Sequence, residues 1–173
     1  LDEDYEVVLV DKLIFGQKIF SHKKNFKFIK ADVRDYVLMK KILDDHNFDF
    51  VIPLAALVGA PICSKYITEA EEINFKSCNF LFENLSSNTK IILPVSNSGY
   101  GIADHNKPCT EESELNPISV YGVTKVKAEK SLIERGNFIS LRLATIFGIS
   151  PRMRLDLLVN NFVYEAVTNK YLE

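Results

Sequence analysis

A tyrosine and a lysine four residues apart are the part of this sequence best suited to acid/base chemistry. Tyr121 and Lys125 lie in a stretch with helical spacing, so both side chains project from one helix face, one turn apart. A phenol ordinarily titrates at a pH of about 10, but a neighbouring ammonium stabilises the phenolate and moves its pKa toward neutrality. Such a pair could exchange a proton with a sugar or alcohol hydroxyl during hydride transfer. The alternative interpretation is a plain surface Tyr–Lys pair.

A cluster of hydroxyl residues upstream favours the chemical interpretation. A predicted strand over 90–95 runs directly into Ser96, Asn97 and Ser98. Ligands of open parallel sheets bind at the carboxyl ends of strands, so a hydroxyl at Ser96 could hydrogen-bond the oxygen that Tyr121 protonates. Turn chemistry alone would explain the cluster but not its combination with the Tyr–Lys spacing.

Two aspartates and a run of small residues also follow predicted strands. Asp11 closes the run 7–10, where a carboxylate can accept hydrogen bonds from both ribose hydroxyls of an adenosine, or can simply be solvated. Asp32 follows the next strand, where an adenine ring would lie, but it could equally be the N-cap of the following helix. Small residues within 54–59 would let a ligand approach the backbone, or would serve helix–sheet packing.

Short strands alternating with helices must position these groups. Runs rich in Val, Ile and Phe predict strands over 6–10, 26–29, 50–54, 90–95 and 138–143. Apolar spacing predicts helices over 36–46, 69–85 and 119–135, the last ending at Gly136, and a final amphipathic stretch over 155–172. This alternation predicts an α/β fold built on a doubly wound parallel sheet.

Composition excludes several classes of protein. The 173 residues include 21 Lys and Arg against 23 Asp and Glu, a formal net charge of −2, so no nucleic-acid partner is predicted. No apolar run approaches the roughly 18–20 residues of a membrane helix, so no membrane partner is predicted. The three cysteines have no CxxC spacing, which favours thiols in a reducing compartment over a disulfide or metal site. We expect a soluble cytoplasmic domain without a metal.

Taken in order, these features resemble the sequence pattern of one enzyme family. The extended short-chain dehydrogenase/reductases, specifically the NAD-dependent nucleotide-sugar epimerases and dehydratases, carry similar features in the same order, and the resemblance covers nearly the whole chain. The matching positions are Asp11, Asp32, Asp35, Leu54, Ala55, Ala56, Asn74, Ser96, Ser98, Tyr100, Gly101, Tyr121, Gly122, Lys125 and residues 141–148.

The resemblance implies a Rossmann-like fold with NAD as cofactor. Asp11 is expected to bind the adenosine ribose, and Asp32 with Val33 to flank the adenine. Leu54, Ala55 and Ala56 are expected to line the central stretch of the cofactor, and Asn74 to support it.

The resemblance also implies the catalytic and substrate residues. Tyr121 is expected to be the acid/base, Lys125 to hold the nicotinamide ribose and tune Tyr121, and Ser96 to orient the substrate hydroxyl. The residues expected to contact a nucleotide-sugar are Ser98, Thr145, Arg154 and Asn161.

The residue after Ser96 helps to select the reaction. Family dehydratases and decarboxylases resemble one another in carrying an acid there, and double epimerases a cysteine, whereas this chain has Asn97 and Ser98. We therefore favour 4-epimerisation of a nucleotide-diphosphate sugar through a 4-keto intermediate. An NAD-dependent dehydrogenase or reductase would use the same residues, and a non-catalytic NAD-sensing module is a further alternative, with a structural oligomerisation domain more distant.

The sequence departs from the family pattern at its ends. The Gly-rich turn that receives the cofactor pyrophosphate, and the first strand before it, have no counterpart here, and Pro53 stands where many members have His. We expect residues 1–147 to form a partial dinucleotide-binding domain and 148–173 to begin a substrate-binding region. The resemblance also implies a homodimer that pairs through the helices within 65–85 and 119–135.

Overall fold

Strands and helices alternate along the chain in the computed structural model, which describes residues 4–16, 24–102, 107–150 and 152–171. The strands are β1 (Val7–Asp11), β2 (Phe26–Lys30), β3 (Phe50–Val51), β4 (Lys90–Ser96) and β5 (Phe138–Leu143). The α-helices are α1 (Tyr36–Asp44), α2 (Ala60–Lys65), α3 (Ile67–Glu71), α4 (Ser77–Asn84), α5 (Val120–Arg135) and α6 (Leu158–Thr168). A π-helical turn (Glu72–Lys76) joins α3 to α4, and a 3₁₀ turn (Asn97–Tyr100) follows β4.

All strand pairs in the described residues are parallel, which confirms the predicted α/β fold. Strands β1 and β2 form one sheet, and β3, β4 and β5 form another in that order. Parallel pairing brings carboxyl ends to one edge: Asp11 is in register with Lys30, and Ser96 with Leu143. The backbone N–H of Ala31 donates to the Asp11 carbonyl at 3.2 Å, which places Asp32 beside the end of β1.

Helix caps explain where two helices begin. Ser119 caps α5 by accepting the N–H of Gly122 at 3.0 Å, and α5 ends at Gly136, as predicted. The cap of α1 is Asp35, whose carboxylate accepts the N–H of Leu38 at 3.0 Å. The alternative that Asp32 caps this helix is therefore wrong, because the helix begins four residues further along and the Asp32 side chain binds other donors.

Three predicted elements differ from the structure. Strand β3 ends at Val51 rather than at 54, since Pro53 lacks the N–H that would continue the ladder. The single helix predicted over 69–85 is interrupted by the π-helical turn, and α2 before it was not predicted. The final helix α6 is shorter than the predicted stretch 155–172.

The core lies between β4 and the helices on one side of the sheets. Ile91 and Leu93 of β4 are fully buried against α4 and α5, together with Leu81 and Leu132. Met39 and Ile42 of α1 belong to the same cluster, alongside Cys78, Phe82, Val95 and Ala128. This shared core fixes α5, and hence Tyr121 and Lys125, against the carboxyl end of β4. No helix in the described ranges is long and apolar enough to span a bilayer.

Candidate active site

The hydroxyl groups of Tyr121 and Ser96 meet where α5 passes the end of β4. The Ser96 hydroxyl is close enough to the Tyr121 phenol to favour the ionised form and so lowers the pKa of Tyr121. The Ser96 hydroxyl oxygen also accepts the backbone N–H of Ser98 at 3.2 Å and lies 2.8 Å from the Ser98 hydroxyl. Two of the predicted catalytic residues and one predicted substrate residue are therefore brought together.

Gly122 allows the close approach of α5 to this hydroxyl cluster. A Cβ atom at Gly122 would lie 2.9 Å from the Ser98 carbonyl oxygen and 3.0 Å from Pro117. Both neighbours are held in place by backbone or ring atoms, so a side chain here would push the helix outward. The glycine next to Tyr121 thus sets the spacing between the Tyr121 and Ser96 hydroxyls.

The surroundings of Tyr121 shift the pKa of its phenol in opposite directions. Burial raises the pKa of the phenol, and the nearby Cys63 thiol raises it further. The Ser96 hydroxyl and the Arg154 guanidinium act in the opposite direction. Arg154 was predicted as a substrate contact, and its electrostatic contact with Tyr121 was not foreseen. The tuning of Tyr121 by Lys125 stays a prediction.

Lys125 is a buried cation without a polar partner in the described part of the chain. It is only 5% exposed, and no hydrogen bond or ion pair to its ammonium occurs there. Burial lowers the pKa of this ammonium, while the Cys78 thiol opposes that effect. A buried charge is costly unless it is paired, so this ammonium is arranged for acceptors that a ligand supplies. Ribose hydroxyls are acceptors of this kind, and Lys125 therefore fits the predicted nicotinamide ribose.

Asn74 fastens the loop after β3 to α5. Its amide oxygen accepts the Leu57 N–H at 2.8 Å, and its NH₂ group donates to the Leu57 carbonyl at 3.0 Å and the Thr124 hydroxyl at 3.3 Å. The side chain is fully buried, and the π-helical turn that carries it turns it toward this loop. Its predicted neighbours on the loop are accessible to a ligand: Leu54 and Ala55 are exposed and Ala56 is half-buried.

The two aspartates predicted for the adenosine end differ in how fully they are hydrogen-bonded. Asp11 accepts the Leu13 N–H at 2.6 Å through Oδ1, and no described donor occupies its other oxygen. Asp32 accepts from Arg34 and Lys12, and Arg34 chiefly holds the pKa of its carboxyl far below the ordinary range. Val33, which directly follows Asp32, is half-buried. Asp11 thus retains the acceptor capacity that a ribose requires.

The remaining predicted substrate residues lie beyond β5. Thr145 is exposed in the loop after the strand, and Arg154 forms an ion pair with Asp156 at 2.6 Å. Asn161 is half-buried, whereas its neighbour Asn160 is only 7% exposed.

Asn160 was missed by the sequence reasoning. It accepts the Gly148 N–H at 3.0 Å and donates to the Arg154 carbonyl at 3.0 Å, so it holds the segment that presents Arg154. The helical phase of the apolar residues in 158–168 is the signal that could have distinguished the two asparagines.

The fold and the site together define a nucleotide-binding α/β protein of the Rossmann type. A sequence profile described as the NAD dependent epimerase/dehydratase family matches residues 1–171, and the chain belongs to that family. NAD is the cofactor of this family. That Asp11 and Lys125 hold its two riboses stays a prediction.

Individual relatives include sugar-nucleotide epimerases and a dehydratase. The chain is 28% identical to UDP-arabinose 4-epimerase 1 of Arabidopsis thaliana, covering 90% of this chain and 40% of that protein. It is 32% identical to the UDP-glucose 4-epimerase of Lactobacillus helveticus, covering 74% of this chain and 39% of that protein. The fold is similar to that of dTDP-glucose 4,6-dehydratase from Bacillus anthracis str. Ames, solved in complex with NAD, with a TM-score of 0.80, 18% identity, and coverage of 97% and 55%.

Proposed function

We propose that the protein is an NAD-dependent 4-epimerase of a nucleotide-diphosphate sugar. The observation that carries the proposal is the proximity of the Ser96 and Tyr121 side chains at the end of β4, one helical turn from the buried ammonium of Lys125. Relatives named as UDP-arabinose and UDP-glucose 4-epimerases support this choice of reaction.

The proposed chemistry uses few groups of the chain. When bound, NAD would supply the hydride exchange with the sugar carbon. Tyr121 takes the proton of the C4 hydroxyl as the carbonyl forms and gives a proton back to the C4 oxygen after the sugar has rotated. Ser96 donates a hydrogen bond that orients this oxygen. Because burial raises the pKa of Tyr121, its phenolate needs stabilisation for the first proton transfer, for which Arg154 acts in the required direction. Lys125 is proposed to add to this effect.

The residue at position 97 supports epimerisation over dehydration. Asn97 is exposed in the 3₁₀ turn next to Ser96, and its neutral amide cannot serve as the acid that elimination requires. A dehydrogenase or reductase would use the same Ser96, Tyr121 and Lys125 and differs only in the fate of the hydride. An NAD-sensing module would bind the cofactor without needing Tyr121.

The homodimer is proposed on the surface of two helices. Tyr66 and Ile67, within 65–85, and Ile133 of α5 are exposed apolar side chains on this surface. They support pairing through the helices within 65–85 and 119–135, in a cytoplasmic protein.

Product analysis tests the proposed reaction. Full-length protein is incubated with UDP-glucose, UDP-galactose, UDP-N-acetylglucosamine and UDP-xylose in separate reactions, and the sugars are identified by NMR. We expect interconversion of one C4-epimeric pair without net NADH. Net NADH would indicate a dehydrogenase, a 4-keto-6-deoxy product a dehydratase, and NAD binding with no product a sensing module.

A further inference from the structure

A buried ion pair joins α5 to β5 near the turn that follows β4. Arg142 Nε donates to Glu129 Oε1 at 3.0 Å and to Oε2 at 3.1 Å. The two side chains are only 15% and 4% exposed. The hydroxyl of Ser140, two residues before Arg142 on β5, donates to the same carboxylate at 2.6 Å. The proposed chemistry uses none of these three residues, so the pair needs another explanation.

Stability alone does not explain the pair. Removing two charges from water is costly, and buried ion pairs can often be replaced by apolar side chains of similar volume without loss of stability. The Glu129 carboxylate accepts three hydrogen bonds, all from side chains of β5, which leaves the far end of the Arg142 guanidinium free to reach another element. That end contacts the segment after β4.

Arg142 contacts the turn that begins directly after Ser96. Its Nη1 donates to the Tyr100 hydroxyl at 3.3 Å and to the Glu111 carbonyl at 3.0 Å. Its Cζ lies 5.3 Å from the centre of the Tyr100 ring, within cation–π distance. Tyr100 is the last residue of the 3₁₀ turn Asn97–Tyr100. The guanidinium therefore connects this turn to the carboxylate on α5.

The same turn is packed closely against its neighbours. A Cβ atom at Gly99 would lie 3.0 Å from Val126 Cγ2 of α5. One at Gly101, where φ is +76°, would lie 2.0 Å from the Asn116 carbonyl oxygen. The turn therefore cannot move closer to the helix, and the Arg142 contacts oppose movement away from it.

We infer that Glu129 is a positioning residue, which holds Ser96 beside Tyr121 for the proposed proton transfer. The inference rests on the proposed function. Glu129 acts through Arg142, whose guanidinium it orients against Tyr100. Glu129 and Tyr121 lie about two turns apart on the same helix, so one rigid element carries both the acid/base and the group that fixes its hydroxyl neighbour.

Kinetics of full-length protein with the sugar-nucleotide that the product screen selects test the inference. Glu129→Leu combined with Arg142→Met replaces the ion pair by apolar side chains, so the protein should fold and melt no lower than the unsubstituted protein. The turn is then no longer held, and kcat should fall by about tenfold with KM and NAD affinity within about twofold.

The pH profile gives a readout that a purely structural pair would not change. Ser96 lowers the pKa of Tyr121, so its displacement should raise the pH at which kcat reaches half of its maximum. The other groups around this phenol, Cys63, Arg154 and Lys125, are untouched in the double variant. A higher midpoint would therefore report the separation of Ser96 from the phenol.

Two further variants follow the route of the effect. Ser140→Ala is the matched control, because it removes one hydrogen bond of Glu129 and leaves the Arg142 contacts in place, so kcat should stay within about twofold. Tyr100→Leu removes the ring that Arg142 contacts and should lower kcat by about tenfold. Added to the double variant, it should cause no further loss, since both changes interrupt one connection.

The contrary results are specific. An unchanged kcat and pH midpoint in the double variant, or an equal fall in Ser140→Ala, would overturn the inference. If the double variant does not fold, Arg142→Lys decides, because it keeps the charge beside Glu129 but lacks the planar fork that reaches Tyr100 and Glu111. We expect about a tenfold fall in kcat for it, and full activity would overturn the inference. Failure of the unsubstituted protein to turn over any sugar-nucleotide would instead contradict the proposed function.

Discussion

At the scale of single residues, the proposed mechanism depends on the Tyr121 phenol, whose neighbours shift its pKa in opposite directions. Burial and the Cys63 thiol raise the pKa of Tyr121, and Ser96 and Arg154 lower it. A protonated phenol suits the return of a proton to the C4 oxygen, whereas its removal needs the phenolate. The nearby cations therefore decide whether the reaction can begin.

Removal of the Tyr121 hydroxyl should abolish turnover and spare cofactor binding. Tyr121→Phe keeps the ring and its packing, so we expect kcat to fall by at least about a thousandfold with NAD affinity nearly unchanged. Tyr5→Phe deletes the same group at an exposed position and should retain activity. Steady-state kinetics and NAD calorimetry provide the two measurements, and substantial activity in Tyr121→Phe would remove this residue from the mechanism.

Lys125 should affect both binding and rate. Lys125→Met replaces the buried ammonium by an apolar chain of similar length, so we expect weaker NAD binding together with a lower kcat. Since the buried charge has no described partner, the same variant should unfold at a higher temperature, measured by calorimetry at neutral pH without cofactor. Unchanged NAD affinity would show that Lys125 is not at the nicotinamide ribose.

At the scale of elements, the distance between α5 and the turn after β4 determines the site. Gly122 lies where any Cβ would contact the Ser98 carbonyl and Pro117. The same helix is anchored at its other end by Ala128 and Leu132 in the core. The first turn of α5 therefore has no room to shift without separating Tyr121 from Ser96.

Gly122→Ala should impair both catalysis and stability. The added methyl group displaces the start of α5 from Ser98, so kcat should fall by about tenfold or more at a destabilisation of about 1–3 kcal/mol. The control is Ser131→Ala, since it also introduces alanine into α5 but on the partly exposed face. Ala128, on the buried face, is already alanine. Ser131→Ala should leave kcat and stability nearly unchanged. Full activity in Gly122→Ala would contradict the close-approach argument.

Much of the element order and the Ser96–Tyr121 contact could be predicted from local pattern. Alternating apolar runs and helical spacing gave β5 and, to within one residue, α5, because both have clear ends at Leu143, Ser119 and Gly136. The π-helical turn could not be predicted, since its register is set by the tertiary hydrogen bonds of Asn74 rather than by propensity. The ion pair of Asp32 with Lys12 likewise joins residues twenty positions apart in sequence.

At the scale of the whole molecule, the two parallel sheets share one hydrophobic core. Val10 and Ile29 of the first sheet pack against the cluster that contains Ile91 and Leu93 of the second. Phe50 and Ile52, at β3, are 54% and 50% exposed. The chain spans about 40% of the length of the curated epimerases that it matches, and the activity of the whole protein is therefore a proposal.

The 173 residues by themselves should bind NAD poorly. The cofactor pyrophosphate carries two negative charges that the family binds with backbone N–H groups at a Gly-rich turn and a helix N-terminus, and this sequence contains no G-x-G-x-x-G motif. Titration of the purified 173-residue chain with NAD should therefore give an affinity weaker than micromolar. Micromolar affinity would mean that the Gly-rich turn is not needed, and the cofactor site would have to be reassigned.

The most direct test of the central claim follows the hydrogen on C4. Full-length protein is supplied with UDP-glucose, or the UDP-sugar that the product screen selects, carrying deuterium at C4, and the product is analysed by NMR and mass spectrometry. The account predicts the C4 epimer with the deuterium retained at C4, because the hydride leaves and returns to the same carbon, and no product with Tyr121→Phe. Loss of deuterium to solvent, or accumulation of deuterated NADH with a keto sugar, would contradict 4-epimerisation by this site.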